Sequence, residues 1–285
     1  MGTRQLDLGC TFRHQAAWPT AALLHVVPAV PSDGGAPAMR RNAGIIFKDE
    51  KWSLEPQIEI HPYTDTFGNQ IQRFTMPQGV STVSYSVRAE VPDEIDPADE
   101  SAPELSPIDL PDETLVYTLA SRFCHNDVLS GQAWKLFGGM EPGYQRVAAI
   151  CDWTWNYLTY TTGSTTFTST STDAFLTGRG VCRDFAHLMI TMCRALNIPA
   201  RYAHGYLPDM DVPPLPTPMD FHAWVEVYLG DRWWTFDPRH NARRKGRVLI
   251  GVGRDAADVA LITTYGAPWL QLMTVTAQEP GLAPM

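Results

Sequence analysis

Cys182 is the residue of this sequence whose type and setting most directly predict chemistry. It follows Gly180-Val181 and begins a segment in which apolar residues recur at helical spacing. The first turn of a helix has unpaired backbone N–H groups and the positive end of the helix dipole, and both stabilise a thiolate. A thiolate is the form of cysteine that attacks a carbonyl carbon. Glycine two residues earlier allows a substrate to approach the backbone closely.

Two residues further along the chain fit the roles of its partners. A nucleophilic cysteine requires a general base, and the base requires a group that orients it. We interpret residues 229–232 as a two-residue hairpin turn. The resulting register makes Trp224 face Asp237 and places His222 on the diagonal from Asp237. Diagonal neighbours on one sheet face have Cβ atoms about 7–8 Å apart or less, so the imidazole and the carboxylate reach each other. A three-residue turn would break this register.

Each of these residues also has an ordinary structural interpretation. Taken alone, Cys182 is typical of a buried structural thiol, His222 of a strand histidine and Asp237 of a strand-end residue before a proline. Together, on a helix start and one hairpin face, they favour a catalytic site. The opposite face of the hairpin has the pattern of a core: Ala223, Val225, Val227, Trp234 and Phe236.

The elements that must position this site lie in the second half of the chain. The spacing predicts a helix over Cys182–Leu196, ended by Asn197 and Pro199. Two earlier helices and three strands are also predicted: Leu115–Phe123, Gly143–Tyr157, Pro199–Leu207, His222–Leu229 and Arg232–Asp237. The Ser/Thr-rich run 161–172 is predicted to be a loop. This half is therefore expected to be α+β.

The first half has a different pattern. Apolar residues alternate with polar ones, as in residues 6–12, which predicts an antiparallel β-sandwich-like domain over residues 1–105. A catalytic domain is then expected over residues 106–285. Between the two patterns, residues 92–113 contain nine acidic residues, five prolines and no lysine or arginine. Such a segment is predicted to be an exposed linker.

The composition narrows the possible functions. The net charge of −9 is accounted for by the nine acidic residues of 92–113, so nucleic-acid binding gains no support. Five widely spaced cysteines without a CxxC pair argue against a disulfide framework or zinc site and favour a reducing cytoplasm. No run of 18 apolar residues predicts a membrane span, and no secretion signal is recognised at the N-terminus. No bound cofactor is expected.

Several motifs together resemble a known family. Gly178-Arg-Gly-Val-Cys-Arg-Asp-Phe-Ala-His-Leu188 resembles the nucleophile motif of bacterial transglutaminase-like cysteine peptidases, which have a papain-like core. Ile198-Pro-Ala-Arg-Tyr202 resembles the strand that follows it. His222-Ala-Trp-Val-Glu-Val227 and Trp234-Thr-Phe-Asp-Pro238 resemble the histidine and aspartate motifs. All occur in the family order between residues 140 and 250, and the first half is similar to the β domain that often precedes this core.

The resemblance implies a nucleophile helix packed on an antiparallel sheet, with Cys182 as nucleophile, His222 as general base and then acid, and Asp237 as its orienting group. The implied reaction is acyl transfer through a thioester, on a protein or peptide amide, by hydrolysis or transamidation. The Cys182 N–H is one oxyanion donor, and Tyr160 is a candidate for the second. Two alternatives stay open: a non-catalytic binding module on the same fold, and an acyl-CoA-dependent N-acyltransferase similar to the arylamine N-acetyltransferases.

Other features permit narrower expectations. Asp184 is expected to cap the helix start, and His187 to be a structural hydrogen-bonding residue. Phe221 stands where the family often has a small residue, which predicts a narrower cleft. The loop 208–220 is interpreted either as a lid or as a stiff surface connection. The basic run 239–247 either attracts an acidic substrate or is a solvated loop.

Overall fold

The computed structural model describes residues 2–31, 41–214 and 217–281. Within these ranges the strands are β1 (Thr3–Ala16), β2 (Thr20–Leu24), β3 (Ile46–Glu55), β4 (His61–Thr64), β5 (Gln70–Met76), β6 (Gly79–Pro92), β7 (Thr159–Tyr160), β8 (Arg179–Gly180), β9 (Ala200–Tyr206), β10 (His222–Leu229), β11 (Arg232–Phe236), β12 (Val248–Gly253), β13 (Ile262–Thr264) and β14 (Trp269–Gln278). The α-helices are α1 (Asp112–Leu115), α2 (Ser130–Phe137), α3 (Tyr144–Tyr157), α4 (Ser171–Thr177) and α5 (Cys182–Ala195). None of these helices is long and apolar enough to cross a membrane.

Strands from both ends of the chain form a β-sandwich. One antiparallel sheet has the order β14-β1-β6-β3 and the other β13-β2-β5-β4. The alternating apolar residues of β1, among them Leu6 and Leu8, are buried in the core that the two sheets share. The period-two pattern thus gives one buried face on strands such as β1 and β6, as predicted. The predicted boundary at residue 105 stays a prediction, and the sandwich includes β13 and β14 from beyond it.

A third antiparallel sheet, with the order β11-β10-β9-β12, carries the candidate site. One of its faces packs on α5 through residues such as Val225 and Phe236. Residues at its margin, including Tyr206 and Val248, enter the core of the sandwich. The two parts of the molecule are therefore joined by a continuous apolar contact rather than by a linker alone.

Helix α5 is buried on nearly all sides, more deeply than its amphipathic pattern predicts. Its polar residues His187, Thr191 and Arg194 are all within 1% of full burial. Burial of a charge requires hydrogen-bond partners. Arg194 has them, because its guanidinium donates to the carbonyl oxygens of Ala200 and Leu119 at 2.9 and 3.0 Å. A central helix of this kind holds its first residue, Cys182, in a rigid setting.

Most of the predicted elements around α5 are confirmed, and two predictions are wrong. The helix predicted over Leu115–Phe123 ends in a 3-10 turn at Thr118. One reason is that the carbonyl of Leu119 accepts a bond from Arg194 instead of an intrahelical N–H. The run 161–172 is not wholly a loop, because α4 begins within it at Ser171. Thr170 caps that helix and shares a reciprocal capping box with Asp173.

The acidic segment 92–113 is anchored to the protein, which corrects the prediction of an exposed linker. The Glu104 carboxylate forms a nearly buried ion pair with Arg146, whose Nε donates to it at 2.7 Å, and it also accepts from the Gly143 N–H at 3.0 Å. Asp96 binds Arg247 at 3.0 Å. Composition alone does not reveal these partners, because they lie 39 or more residues away in sequence.

The basic run 239–247 is largely paired with carboxylates, so neither interpretation made from the sequence describes all of it. Arg244 binds Asp209 at 2.9 Å, and Lys245 binds Asp93 at 2.7 Å. Much of this positive charge is thus neutralised within the protein and is not available to a substrate.

Glu104→Gln is expected to lower the free energy of unfolding by about 3 kcal/mol, because it leaves the Arg146 guanidinium in a buried site without its counter-charge. The side chains of Glu104 and Arg146 are 9% and 8% exposed, so water replaces little of the lost interaction. Urea denaturation of the two proteins measures the difference.

Glu100→Gln provides the matched control, since Glu100 is an exposed carboxylate in the same acidic segment. We expect a change within about 0.5 kcal/mol for this variant. Equal effects of the two substitutions would mean that the Glu104–Arg146 pair does not anchor the segment.

Candidate active site

The start of α5 is built by hydrogen bonds that hold Cys182 at its first position. Val181 is extended, and its N–H donates to the Asp184 carboxylate at 2.8 Å. Asp184 is fully buried and also accepts a bond from the Thr165 hydroxyl at 2.6 Å. This confirms the expectation that Asp184 caps the helix start. A Cβ at Gly180 would lie 2.6 Å from the Asp184 Cβ, so this glycine makes room for the cap rather than for a substrate.

The hairpin of β10 and β11 has the predicted register. Leu229 pairs with Arg232 and Val225 with Phe236. His222 Nε2 and Asp237 Oδ2 are 2.8 Å apart, as the diagonal arrangement requires. The other carboxylate oxygen of Asp237, Oδ1, accepts from the backbone N–H groups of residues 239 and 240, each at 3.2 Å. These bonds fix the carboxylate beneath the imidazole.

The Cys182 thiol completes the cluster on the other side of His222. The thiol is close enough to the imidazole to contribute to its pKa. Burial by itself would lower the pKa of His222, but the charge of Asp237, its hydrogen bond and the nearby Cys182 thiol outweigh it and raise the pKa to about 9. The ring is therefore cationic at neutral pH. A cationic imidazole next to a thiol favours the thiolate.

Cys182 also differs from the other cysteines in accessibility. It is half-buried, whereas Cys10, Cys124, Cys151 and Cys193 are buried. Burial raises the pKa of Cys124 to about 12, so that thiol stays neutral and unreactive. The structure thus brings the three predicted site residues together at the one cysteine that is partly open to solvent.

Comparison with known proteins agrees with this geometry. Residues 132–238 match the family model of the transglutaminase-like superfamily. This stretch, which is less than half of the chain, is similar to transglutaminase-like domains. A crystal structure of a proposed cysteine protease from Cytophaga hutchinsonii is similar to all of this chain and 94% of that one, with a TM-score of 0.83 and 29% sequence identity. These findings confirm the predicted α+β fold and the resemblance on which it was partly based.

Similar sequences also occur in mycobacteria. An uncharacterized protein of Mycobacterium leprae is 39% identical over 117 residues, which are 40% of this chain and 42% of that protein. An uncharacterized protein of Mycobacterium tuberculosis is 37% identical over 112 residues, or 36% of this chain and 35% of that protein. This chain therefore matches less than half of the length of either relative.

Arg247 and Asp96 also belong to the candidate site, although the sequence did not predict them. The Arg247 guanidinium binds Asp237 at 3.2 Å and Asp96 at 3.0 Å, and its Cζ lies 4.6 Å from the ring centroid of Trp224. Burial would raise the pKa of Asp237, but the charges of His222 and Arg247 and the imidazole hydrogen bond hold it well below its usual range. No local spacing signals this bridge, since its members come from β10, the hairpin end and two distant loops.

Three other predictions have different outcomes. His187 is structural, as expected: its Nε2 accepts from the Ala256 N–H at 3.1 Å, and burial lowers its pKa to about 3. Phe221 does not narrow the cleft, because it packs in the sandwich core with its ring centroid 5.3 Å from that of Tyr206. The loop 208–220 includes residues 215 and 216, which lie outside the described residues, so the lid interpretation stays a prediction.

His222, Asp237 and His240 offer three ligand atoms within 4.8 Å of one another, the geometry of a possible metal site. The Asp237 carboxylate already contacts the His222 imidazole and the Arg247 guanidinium. A fixed guanidinium next to the carboxylate opposes the binding of a divalent cation. The contacts therefore fit an electrostatic network better than a metal centre.

Proposed function

We propose that this protein is a cysteine-dependent enzyme that hydrolyses or transfers amide bonds of a peptide or protein substrate. Cys182 is the nucleophile, His222 the general base and acid, and Asp237 the group that orients the imidazole. One observation carries the proposal: a partly accessible thiol at a helix start lies close enough to raise the pKa of an imidazole that is hydrogen-bonded to a buried carboxylate. The similarity of residues 132–238 to transglutaminase-like domains supports the same class of chemistry.

In the first half of the reaction the Cys182 thiolate attacks the amide carbonyl carbon. A carbon–sulfur bond forms, and the electron pair of the carbonyl double bond moves to the oxygen. The Cys182 backbone N–H, which is at the first position of α5, donates to this oxyanion. Tyr160 is 43% exposed beside Cys182 and is the candidate for a second donor. Collapse breaks the carbon–nitrogen bond, and the His222 imidazolium gives its proton to the leaving amine.

In the second half the neutral imidazole accepts a proton from the incoming water or amine. That nucleophile attacks the thioester carbon, and the Cys182 thiolate leaves with the electron pair of the carbon–sulfur bond. Water gives a carboxylic acid, whereas an amine gives a new amide. His222 is protonated again at the end of the cycle, because Asp237 holds its ring in place and stabilises its positive charge.

Alkylation of Cys182 by iodoacetamide tests the proposal without a known substrate. At pH 7 the native protein is expected to react about tenfold faster or more than the His222→Gln variant, because the neutral glutamine amide does not stabilise a thiolate. The ratio of the native rate to the variant rate should fall as the pH rises through about 9, where His222 loses its proton. Mass spectrometry of the tryptic peptide that contains Cys182 gives both rate constants.

Circular dichroism of the His222→Gln variant checks that the fold is retained. The buried thiols of Cys124 and Cys193 provide an internal reference, since they should remain unlabelled in the folded protein. Equal rates for the native protein and the variant between pH 6 and 8 would contradict the proposed role of His222.

A further inference from the structure

Arg239 lies next to the candidate nucleophile. Its Cζ is 3.8 Å from the ring centroid of Tyr160, and the charge of Cys182 acts on the same tyrosine. The backbone N–H of Arg239 donates to Asp237 at 3.2 Å. The position of Arg239 is therefore fixed relative to Cys182 and Asp237, the two ends of the triad. The Arg239 side chain is not itself a member of the triad.

The charge of Arg239 is not neutralised within the protein in the way that its neighbours' charges are. Arg244, Lys245 and Arg247 each bind a carboxylate. Across residues 2–31, 41–214 and 217–281, no acidic side chain forms an ion pair with Arg239. Among the described residues, Arg239 and Arg243 are the members of the basic run that have no carboxylate partner, and Arg239 is the one whose guanidinium lies on Tyr160.

The stacking of Arg239 on Tyr160 suits it to bind an anion. A guanidinium that stacks on an aromatic ring uses its face for that contact and keeps N–H groups at its edge. These N–H groups match the two oxygens of a carboxylate. Stacking also holds the side chain in one orientation, so less conformational entropy is lost when an anion binds.

Asp220 is an acidic group near the same tyrosine. Its charge acts on Tyr160 together with those of Cys182 and Arg239. Its carboxylate accepts a bond from the Phe221 N–H at 2.7 Å and forms no ion pair with Arg239. Asp220 therefore does not neutralise the charge of Arg239 through an ion pair.

We propose that Arg239 is a specificity-determining residue that binds a carboxylate of the acyl substrate close to the attacked carbon. This inference rests on the proposed function, since it assumes that Cys182 is the nucleophile. It narrows the substrate class to amides of acidic peptides, in which a side-chain or terminal carboxylate lies near the scissile bond.

Two alkylating reagents that differ only in charge test the proposal. Iodoacetate carries a carboxylate on the carbon that sulfur attacks, whereas iodoacetamide carries a neutral amide there. With both, the Cys182 thiolate forms a carbon–sulfur bond and iodide leaves. We expect Arg239→Gln to lower the ratio of the iodoacetate rate to the iodoacetamide rate about tenfold, the size of one charge-assisted hydrogen bond. The glutamine keeps the backbone N–H that binds Asp237.

Arg232→Gln is the matched control, because Arg232 is also stacked on an aromatic ring, with its Cζ 4.6 Å from the Trp234 centroid at the far end of the hairpin. We expect Arg232→Gln to change the ratio of the iodoacetate rate to the iodoacetamide rate less than twofold. Arg239→Lys should give a ratio between that of the native protein and that of Arg239→Gln. An unchanged ratio in Arg239→Gln, or an equal fall in both glutamine variants, would overturn the proposal. The proposed function is tested separately by iodoacetamide alone. It fails if the native protein reacts no faster with iodoacetamide than the His222→Gln variant does.

Discussion

Replacing Cys182 by alanine is expected to abolish amide turnover while the fold stays intact. The substitution removes the only atom that forms the thioester, so the rate should fall by at least about 10⁴-fold. Cys182 is half-buried at the first turn of α5, and the capping bonds of Asp184 do not involve its side chain. The free energy of unfolding should therefore change by less than about 1 kcal/mol. Release of primary amines from a mixture of peptide amides measures turnover, and urea denaturation measures stability.

Cys193→Ala is the control for this experiment because Cys193 lies on the same helix but is fully buried in the apolar core. It removes one sulfur atom from a packed site, so we expect a loss of stability of about 1 kcal/mol and unchanged turnover per folded molecule. Turnover that survives in Cys182→Ala would refute the assignment of the nucleophile, whatever the stability of the variant.

The candidate site could be predicted because its residues are fixed by local rules. Cys182 is placed by the start of a single helix, and the helix is recognisable from its apolar spacing. His222 and Asp237 are placed by one hairpin whose turn, at residues 229–232, sets the register of both strands. Two local elements and one packing contact, between α5 and β10, are then sufficient to assemble the cluster.

The rest of the site could not be predicted because it depends on contacts between distant segments. Asp96 reaches Asp237 only through Arg247, and these residues are separated by a sheet and five helices along the chain. An acidic, proline-rich segment is predicted to be exposed when the residues that form ion pairs with it are unknown. The same applies to β14, which pairs with β1 from the opposite end of the chain.

One missed element did carry a local signal. The sequence Thr170-Ser-Thr-Asp173 has the residue types of a capping box, and α4 begins there. The surrounding serines and threonines, which favour turns, outweighed that signal in the prediction of a loop. The error matters for the site, because the segment before α4 includes Thr165, which donates to the carboxylate that caps α5.

Arg247→Met is expected to lower the free energy of unfolding by about 5 kcal/mol, the upper end of the range for a broken buried ion pair. The Arg247 side chain is 7% exposed and lies between carboxylates that are 11% and 1% exposed, those of Asp96 and Asp237. Methionine keeps the contact with Trp224 but leaves two buried negative charges without a cation between them. The loss of the positive charge should also raise the pKa of Asp237 toward its usual range. Urea denaturation at neutral pH measures the loss of stability.

Arg254→Met is the matched control, since Arg254 pairs with Asp258 at 2.9 Å but is 41% exposed. Solvent screens that pair, so we expect a cost below about 1 kcal/mol. Adding Asp96→Asn to Arg247→Met should restore part of the lost stability, because the second substitution removes one of the two stranded charges. A cost for Arg247→Met no greater than that for Arg254→Met would mean that the bridge does not stabilise the site. In that case the imidazole hydrogen bond and the backbone N–H groups of residues 239 and 240 are sufficient to hold the Asp237 carboxylate beneath His222.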